Sequence, residues 1–87
     1  MKSFIVAVLM SSFVITAYAK KNCTDVPKES GSWLTEEDFK KKVTDMGYKI
    51  KRFKTPGTCY EIYGTDKDGN KVEIYFNPVD ASIVAKD

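Results

Sequence analysis

Two alternating stretches on either side of a turn cluster constrain the fold of this chain more than any other feature. Between residues 60 and 76, apolar and polar side chains alternate before and after the turn formers at 66–70. Alternation with a period of two, interrupted by a Gly that can adopt positive φ, is typical of a β-hairpin. The even-numbered side chains would then share one face of a sheet: Tyr60, Ile62, Val72, Ile74 and Phe76.

A short amphipathic helix is predicted before the hairpin. Thr35 is a suitable N-cap, and the carboxylates at 36–38 favour the positive end of a helix dipole. Apolar side chains recur at helical spacing from Phe39 to Met46, and Gly47 stands where a left-handed residue would end the helix. This apolar stripe is expected to pack on the even face of the sheet.

Two further segments complete the expected sheet. Residues 48–53 alternate, except that Phe53 breaks the parity, and they predict a strand. Residues 82–85 predict either a short fourth strand or a tail lying along the sheet. Between the first two strands, Pro56 and Gly57 suit positions i+1 and i+2 of a type II turn. The expected fold is α+β, with one N-terminal helix packed on a three- to four-stranded antiparallel β-meander.

The register between the first two strands can be predicted by keeping lysines out of the core. Pairing Ile50 with Ile62 sets Phe53 opposite Cys59 and leaves Lys51 beside a carboxylate. A single helix cannot cover both faces of the sheet, so the odd face is either exposed or crossed by the N-terminal segment. Three aromatic residues expected on this odd face are the candidate partner-binding residues: Phe53, Tyr63 and Tyr75.

The first residues have the composition of a secretory signal peptide. Lys2 precedes a short apolar run, and Ala17 and Ala19 fit a small-residue cleavage site. The run is short for a membrane span, which needs roughly 20 residues, so cleavage is favoured over a retained anchor. The expected organisation is a signal peptide at 1–19, an irregular segment at 20–32 and the α+β domain at 33–87, in a periplasmic or secreted protein.

Cys23 and Cys59 are the only cysteines of the chain. Export into an oxidising compartment favours a disulfide between them. The alternatives are two free thiols or a metal site, and the metal site is disfavoured because zinc needs four ligands and the chain has no His. A core of this size rarely supplies more than about 3–5 kcal/mol of net stability, so a covalent link would matter for folding.

The composition argues against several classes of chemistry. Without His, the commonest general base near neutral pH is missing, and Ser-His-Asp and Cys-His arrangements are impossible. The turn at 66–70 has carboxylates, but its Gly69 is fourth in the segment, whereas a calcium loop needs Gly at its sixth position. We therefore expect no catalytic, cofactor-binding or metal-binding residues. The dispersed charge gives no case for nucleic acid binding.

Motifs along nearly the whole predicted domain resemble the PepSY domain family, especially its short, free-standing, exported members. They are Trp33-Leu34-Thr35, Gly47-Tyr48-Lys49-Ile50, Cys59-Tyr60-Glu61-Ile62-Tyr63, the Asp68-Gly69 turn with Val72-Glu73-Ile74-Tyr75-Phe76, and Asn77-Pro78. Ala81 departs from the pattern, because the family usually has Gly in this last turn.

What this resemblance implies concerns binding rather than catalysis. PepSY domains occur in the propeptides of secreted metallopeptidases, and the resemblance implies a non-enzymatic protein-binding module that inhibits or modulates a peptidase. The alternative interpretation is a small-ligand-binding or envelope-sensing domain. Such a domain would need a pocket of about 300 Å3 or more.

Overall fold

The structure, a computed structural model, describes residues 22–87, so the predicted signal peptide at 1–19 lies outside the described residues. A 3₁₀ turn at Lys28–Ser30 and helix α1 (Glu36–Asp45) precede four strands: β1 (Lys49–Lys54), β2 (Tyr60–Thr65), β3 (Lys71–Phe76) and β4 (Ile83–Lys86). Each strand pairs antiparallel with its neighbour in the order β1-β2-β3-β4. The α+β meander is confirmed with four strands, and α1 follows the N-terminal segment rather than forming it. Over residues 22–87, no helix is long and apolar enough to cross a membrane.

Helix α1 begins and ends where its capping residues predict. Thr35 Oγ1 accepts a hydrogen bond from the backbone N–H of Asp38 at 3.0 Å. At the other end Gly47 has a φ of 105°. The backbone N–H of Tyr48 donates to Val43 O at 3.3 Å, and this is the longer hydrogen bond of a Schellman motif.

The core lies between α1 and the even face of the sheet. Phe39 and Val43 of the helix are completely buried, and the Phe39 ring lies 4.8 Å from that of Tyr60 and 5.0 Å from that of Phe76. Trp33 closes one end of the core with an edge-to-face contact on Tyr60 at 5.4 Å. The expected even face is therefore confirmed, with Val72 only partly buried against the core. The buried core residues are Phe39 and Val43 of the helix, Tyr60, Ile62, Ile74 and Phe76 of the sheet, and Ala81 of the β3–β4 connection.

The register between β1 and β2 differs from the expected one. Phe53 lies opposite Ile62, because the pairing shifts at a β-bulge between Ile50 and Arg52. The extra residue reverses the side-chain parity of the strand. The prediction that Phe53 lies on the odd face, opposite Cys59, was therefore wrong. Its ring faces the core, 5.0 Å from that of Tyr60.

Gly64 makes room for this bulge. A Cβ added at Gly64 would overlap the backbone oxygen of Lys49 and lie 2.9 Å from the Lys49 carbonyl carbon. Because both atoms belong to the backbone, they cannot move aside as a side chain could. Gly64 therefore permits the close approach of β1 and β2 at the point where the register shifts.

The turns use positive φ at three places that the alternation alone does not fix. The backbone N–H of Cys59 donates to Pro56 O at 3.0 Å, so Gly57, with a φ of 58°, occupies the second position of this turn. The predicted placement of Pro56 and Gly57 at i+1 and i+2 was wrong by one residue, because they occupy positions i and i+1. The β2–β3 turn has Gly69 at a φ of 86°. Ala81 adopts a φ of 65° although it is not Gly, and its N–H donates to Asn77 O at 2.8 Å.

Candidate functional site

A disulfide fixes the N-terminal segment to the start of β2. The predicted bond between Cys23 and Cys59 is present and joins residues 36 positions apart. Next to it, Thr58 Oγ1 accepts a hydrogen bond from the backbone N–H of Cys23 at 2.9 Å. Further along, Trp33 Nε1 donates to Val26 O at 2.8 Å. The disulfide anchors this segment at Cys23, and Tyr60 Oη anchors its other end by donating to Leu34 O at 2.6 Å.

The odd face of the sheet carries a compact group of acids and phenols. Glu61 lies opposite Tyr75 in the β2–β3 pairing, and Tyr63 lies opposite Glu73. The two carboxyl groups therefore occupy one diagonal of a square and the two phenol rings the other. We call this group the Glu–Tyr cluster, and its members are Glu61, Tyr63, Glu73 and Tyr75.

Glu61 is the most unusual member of the Glu–Tyr cluster. It is only 4% exposed, and its Oε2 atom is buried without a hydrogen-bond partner. Burial raises the pKa of the Glu61 carboxyl above 4.5, and a hydrogen-bond contact with Glu73 raises it further. The neighbouring Tyr75 Oη donates to Glu73 Oε2 at 3.0 Å. The site therefore favours the protonated form of Glu61 more than water does.

The raised pKa links the cluster to the stability of the domain. The folded state holds the Glu61 proton more tightly than the unfolded chain does. This contribution to the free energy of unfolding is thus fully present below pH 4.5 and is lost as the pH rises through the folded-state pKa. At pH values above its folded-state pKa, Glu61 is ionised, and the burial of this charge destabilises the folded domain.

Tyr63 forms the accessible centre of the odd face. It is half-buried, and two cations lie near its ring: Arg52 Cζ at 5.8 Å from the centroid and Lys54 Nζ at 5.5 Å. Its hydrogen bond to Glu73 is the main reason that the pKa of Tyr63 rises to about 12. Tyr63 therefore presents a neutral phenol and an aromatic ring between basic side chains.

The structure separates the three predicted partner-binding residues. Tyr63 and Tyr75 lie on the odd face, but Tyr75 is only 8% exposed, whereas Phe53 is partly buried against the core. A binding role for these residues stays a prediction. Sequence reasoning missed Arg52 and Lys54 as neighbours of Tyr63, because their place depends on the bulge. The spacing of Ile50 and Phe53, three residues apart, was the signal that could have located it.

One pocket formed by the described residues is small for a ligand site. One pocket of about 170 Å3 lies between the end of α1 and the β2–β3 turn, and its lining residues are Met46, Gly47, Tyr48, Asp66, Lys67 and Asp68. Asp66 is already engaged, because its Oδ1 atom accepts hydrogen bonds from the backbone N–H groups of Asp68 and Asn70. The part of the chain that the structure describes contains no group of three or more His, Cys, Asp or Glu residues that could hold a metal ion.

The two open edges of the sheet differ in character. The basic side chains of β1 are exposed, and its bulge interrupts the edge. β4 is exposed along its whole length and presents Ile83, 43% exposed, and Val84, 50% exposed. Charges and bulges are features that protect an edge strand from indiscriminate pairing, so β4 is the less protected edge.

Comparison with known proteins places the chain in a family. No curated protein and no solved structure matches it at a significant level. The family model described as peptidase propeptide and YPEB domain matches residues 1–87, which is the whole chain. The chain therefore belongs to the PepSY family of peptidase propeptide and YPEB domains.

Proposed function

We propose that this protein is a non-enzymatic, exported protein-binding module that inhibits or modulates a peptidase. The observation that carries the proposal is the family match over residues 1–87, since this family is described by its occurrence in peptidase propeptides. A module of this kind acts by binding to the peptidase rather than by chemistry of its own. The Cys23–Cys59 disulfide fits an oxidising compartment, either the periplasm or the outside of the cell.

The odd face is the surface that best suits such a role. Tyr63 is partly accessible there, and Arg52 and Lys54 stand beside it. Tyr and Arg are enriched among the residues that dominate protein–protein binding energy. Tyr75 would support Tyr63 from within the Glu–Tyr cluster rather than contact a partner directly, because it is nearly buried.

The pocket that the described residues form gives little support to the alternative, a small-ligand-binding or envelope-sensing domain. The pocket beside the end of α1 measures about 170 Å3. Typical small-molecule sites start at about 300 Å3 and are lined mainly by apolar side chains. The charged residues Asp66, Lys67 and Asp68 make up half of this lining.

Inhibition of an exported peptidase is the direct test. Peptidases secreted by the source organism would be separated by chromatography and assayed on casein with increasing amounts of the oxidised protein. We expect dose-dependent inhibition of at least one fraction that saturates near an equimolar ratio, because a binding module occupies its target stoichiometrically. Unchanged rates in every fraction would contradict the proposal.

A pair of variants tests whether the odd face is responsible. Tyr63→Ser removes the accessible ring from the odd face and should weaken inhibition. Met46→Ser is the matched control, because Met46 is 45% exposed at the end of α1, away from the odd face. Equal inhibition by the two variants would exclude Tyr63 from the binding surface.

A further inference from the structure

We infer that the odd face binds an extended acidic segment of the partner protein, through basic side chains grouped around Tyr63. This inference rests on the proposed function and specifies the chemistry of the partner's surface. It depends on the strand register, on the exposure of the basic residues and on the distribution of charge over the domain.

The register brings basic residues from two strands onto the odd face. Thr65 of β2 pairs with Lys49 of β1 on one side and with Lys71 of β3 on the other. Thr65 and Tyr63 are two residues apart in β2, so they lie on the same face of the sheet. Arg52 lies opposite Tyr63 itself. With Lys54, which lies opposite Glu61, these residues form what we call the basic rim: Lys49, Arg52, Lys54 and Lys71.

The charge of the basic rim is not neutralised by its surroundings. All four side chains are exposed, and within residues 22–87 none of them forms an ion pair. Of the two carboxyl groups in the Glu–Tyr cluster, that of Glu61 is 4% exposed and adds little to the surface. Glu73 is partly exposed and already accepts a hydrogen bond from Tyr75. The odd face therefore presents a net positive surface.

Helix α1 provides a contrast on the same molecule. Lys40 pairs with Glu36 at 2.8 Å, four residues away on the helix surface. Lys41 and Lys42 share the helix with further carboxylates, at 37–38 and 45. The lysines of α1 are therefore balanced locally, whereas those of the basic rim are not.

The chemistry of the patch favours an acidic protein segment over a membrane. Arg binds carboxylates through two parallel hydrogen bonds, and Tyr63 offers apolar contact between the cations. The large apolar side chains exposed within residues 22–87 are Met46, Ile83 and Val84, and none of them belongs to the basic rim. A membrane-binding patch would need such side chains for insertion into lipid.

Binding of defined peptides tests the inference. Fluorescence anisotropy would compare a labelled peptide of alternating Glu and Val with one of alternating Gln and Val. We expect the oxidised protein to bind the Glu peptide only. Binding should weaken as the ionic strength rises from about 0.1 M to about 1 M, because the Debye length falls from about 10 Å to about 3 Å.

Two double variants with the same change in net charge locate the site. Arg52→Glu/Lys54→Glu should weaken Glu-peptide binding at least about tenfold, because it reverses half of the basic rim. Lys41→Glu/Lys42→Glu on α1 should change it by less than about twofold, since α1 packs on the even face, across the sheet from the basic rim, and salt screens exposed charges. Circular dichroism and urea unfolding would check that both variants fold. Should the first fail to fold, Arg52→Gln/Lys54→Gln should still show a clear loss of binding.

Several results would overturn the inference. These are equal losses in the two double variants, equal binding of the Gln peptide, or binding to phosphatidylglycerol vesicles without binding to the Glu peptide. The peptidase assay separates this inference from the proposed function. If Arg52→Glu/Lys54→Glu inhibits a peptidase as well as the unaltered protein does, the basic rim is not the site but the proposed function stands. If the protein binds the Glu peptide and inhibits no peptidase, the proposed function fails on its own.

Discussion

Breaking the Cys23–Cys59 disulfide should bring the domain close to its unfolding midpoint. The bond joins residues 36 positions apart, and the loop it closes contains α1, β1 and the turn that follows. In the chain-entropy model, closing a loop of this length lowers the conformational entropy of the unfolded chain and so raises its free energy by about 4 kcal/mol. A small core rarely supplies more than about 3–5 kcal/mol of net stability. Loss of the disulfide should therefore remove most of the free energy of unfolding of the domain.

Urea unfolding can measure this loss with a single intrinsic probe. Trp33 is the only Trp of the chain, and it reports tertiary packing because its ring contacts Tyr60 and its Nε1 bonds to Val26 O. We expect the free energy of unfolding to fall by about 4 kcal/mol both on reduction and in Cys23→Ala/Cys59→Ala. Agreement between the two perturbations assigns the effect to the covalent link rather than to the altered side chains.

A much smaller effect would refute this reasoning. A loss below about 1 kcal/mol would mean that the bond does not restrict the unfolded chain as the loop length requires. Circular dichroism recorded alongside the fluorescence adds a second check. If Trp33 emission changed well before the circular dichroism signal, the N-terminal segment would be detaching separately, and the cooperative two-state treatment would not hold.

Three further perturbations follow from single features of the structure. Glu61→Gln should remove the fall in the free energy of unfolding that the raised pKa of Glu61 predicts above pH 4.5, because Gln does not titrate. Parallel pH profiles of the two proteins from urea unfolding would contradict this. Gly64→Ala should destabilise the domain by about 3 kcal/mol, because the new Cβ overlaps the backbone of Lys49. A thermal or urea midpoint equal to that of the unaltered protein would show that β1 can move aside. Thr35→Ala should lower the free energy of unfolding by about 1 kcal/mol, because it removes the hydroxyl that accepts the hydrogen bond from the Asp38 N–H. Thr35→Ser keeps a hydroxyl and should retain most of this stability. Equal unfolding midpoints for the two Thr35 variants would exclude the capping hydroxyl as the cause.

The elements that the sequence predicts well are those with local causes. Strict alternation placed Ile62 and Ile74 on the core face, and both are fully buried opposite each other. Thr35 and Gly47 marked the ends of the helix through hydrogen bonds and a positive φ that involve near neighbours only. The disulfide was predictable because the chain offers only one possible pair.

The register of β1 was not predictable from regular alternation, because it depends on a departure from that pattern. Ile50 and Phe53 are three residues apart, so both can pack towards the core only if one intervening residue is extra. The bulge supplies this residue, and Gly64 on the neighbouring strand leaves space for it. Propensity and charge pairing gave no indication that the strand would accept such an irregularity.

The candidate site was predicted only in part for a related reason. Tyr63 and Tyr75 were placed correctly on the odd face, since β2 and β3 alternate without interruption. The near-complete burial of Tyr75 and Glu61 results from packing of the whole domain. A strand pattern indicates which way a side chain points, but it does not indicate how much of that side chain its neighbours cover.

The bulge connects the core of the domain to its proposed binding surface. In an uninterrupted strand with Ile50 on the core side, Arg52 would point into the core and Phe53 away from it. With the bulge, Phe53 packs against Phe39, and Arg52 lies beside Tyr63 on the odd face. A single irregularity therefore completes the apolar core and assembles half of the basic rim. It follows that Gly64→Ala should weaken Glu-peptide binding as well as stability, whereas Thr35→Ala should lower stability alone, because the cap lies outside the β1–β2 pairing.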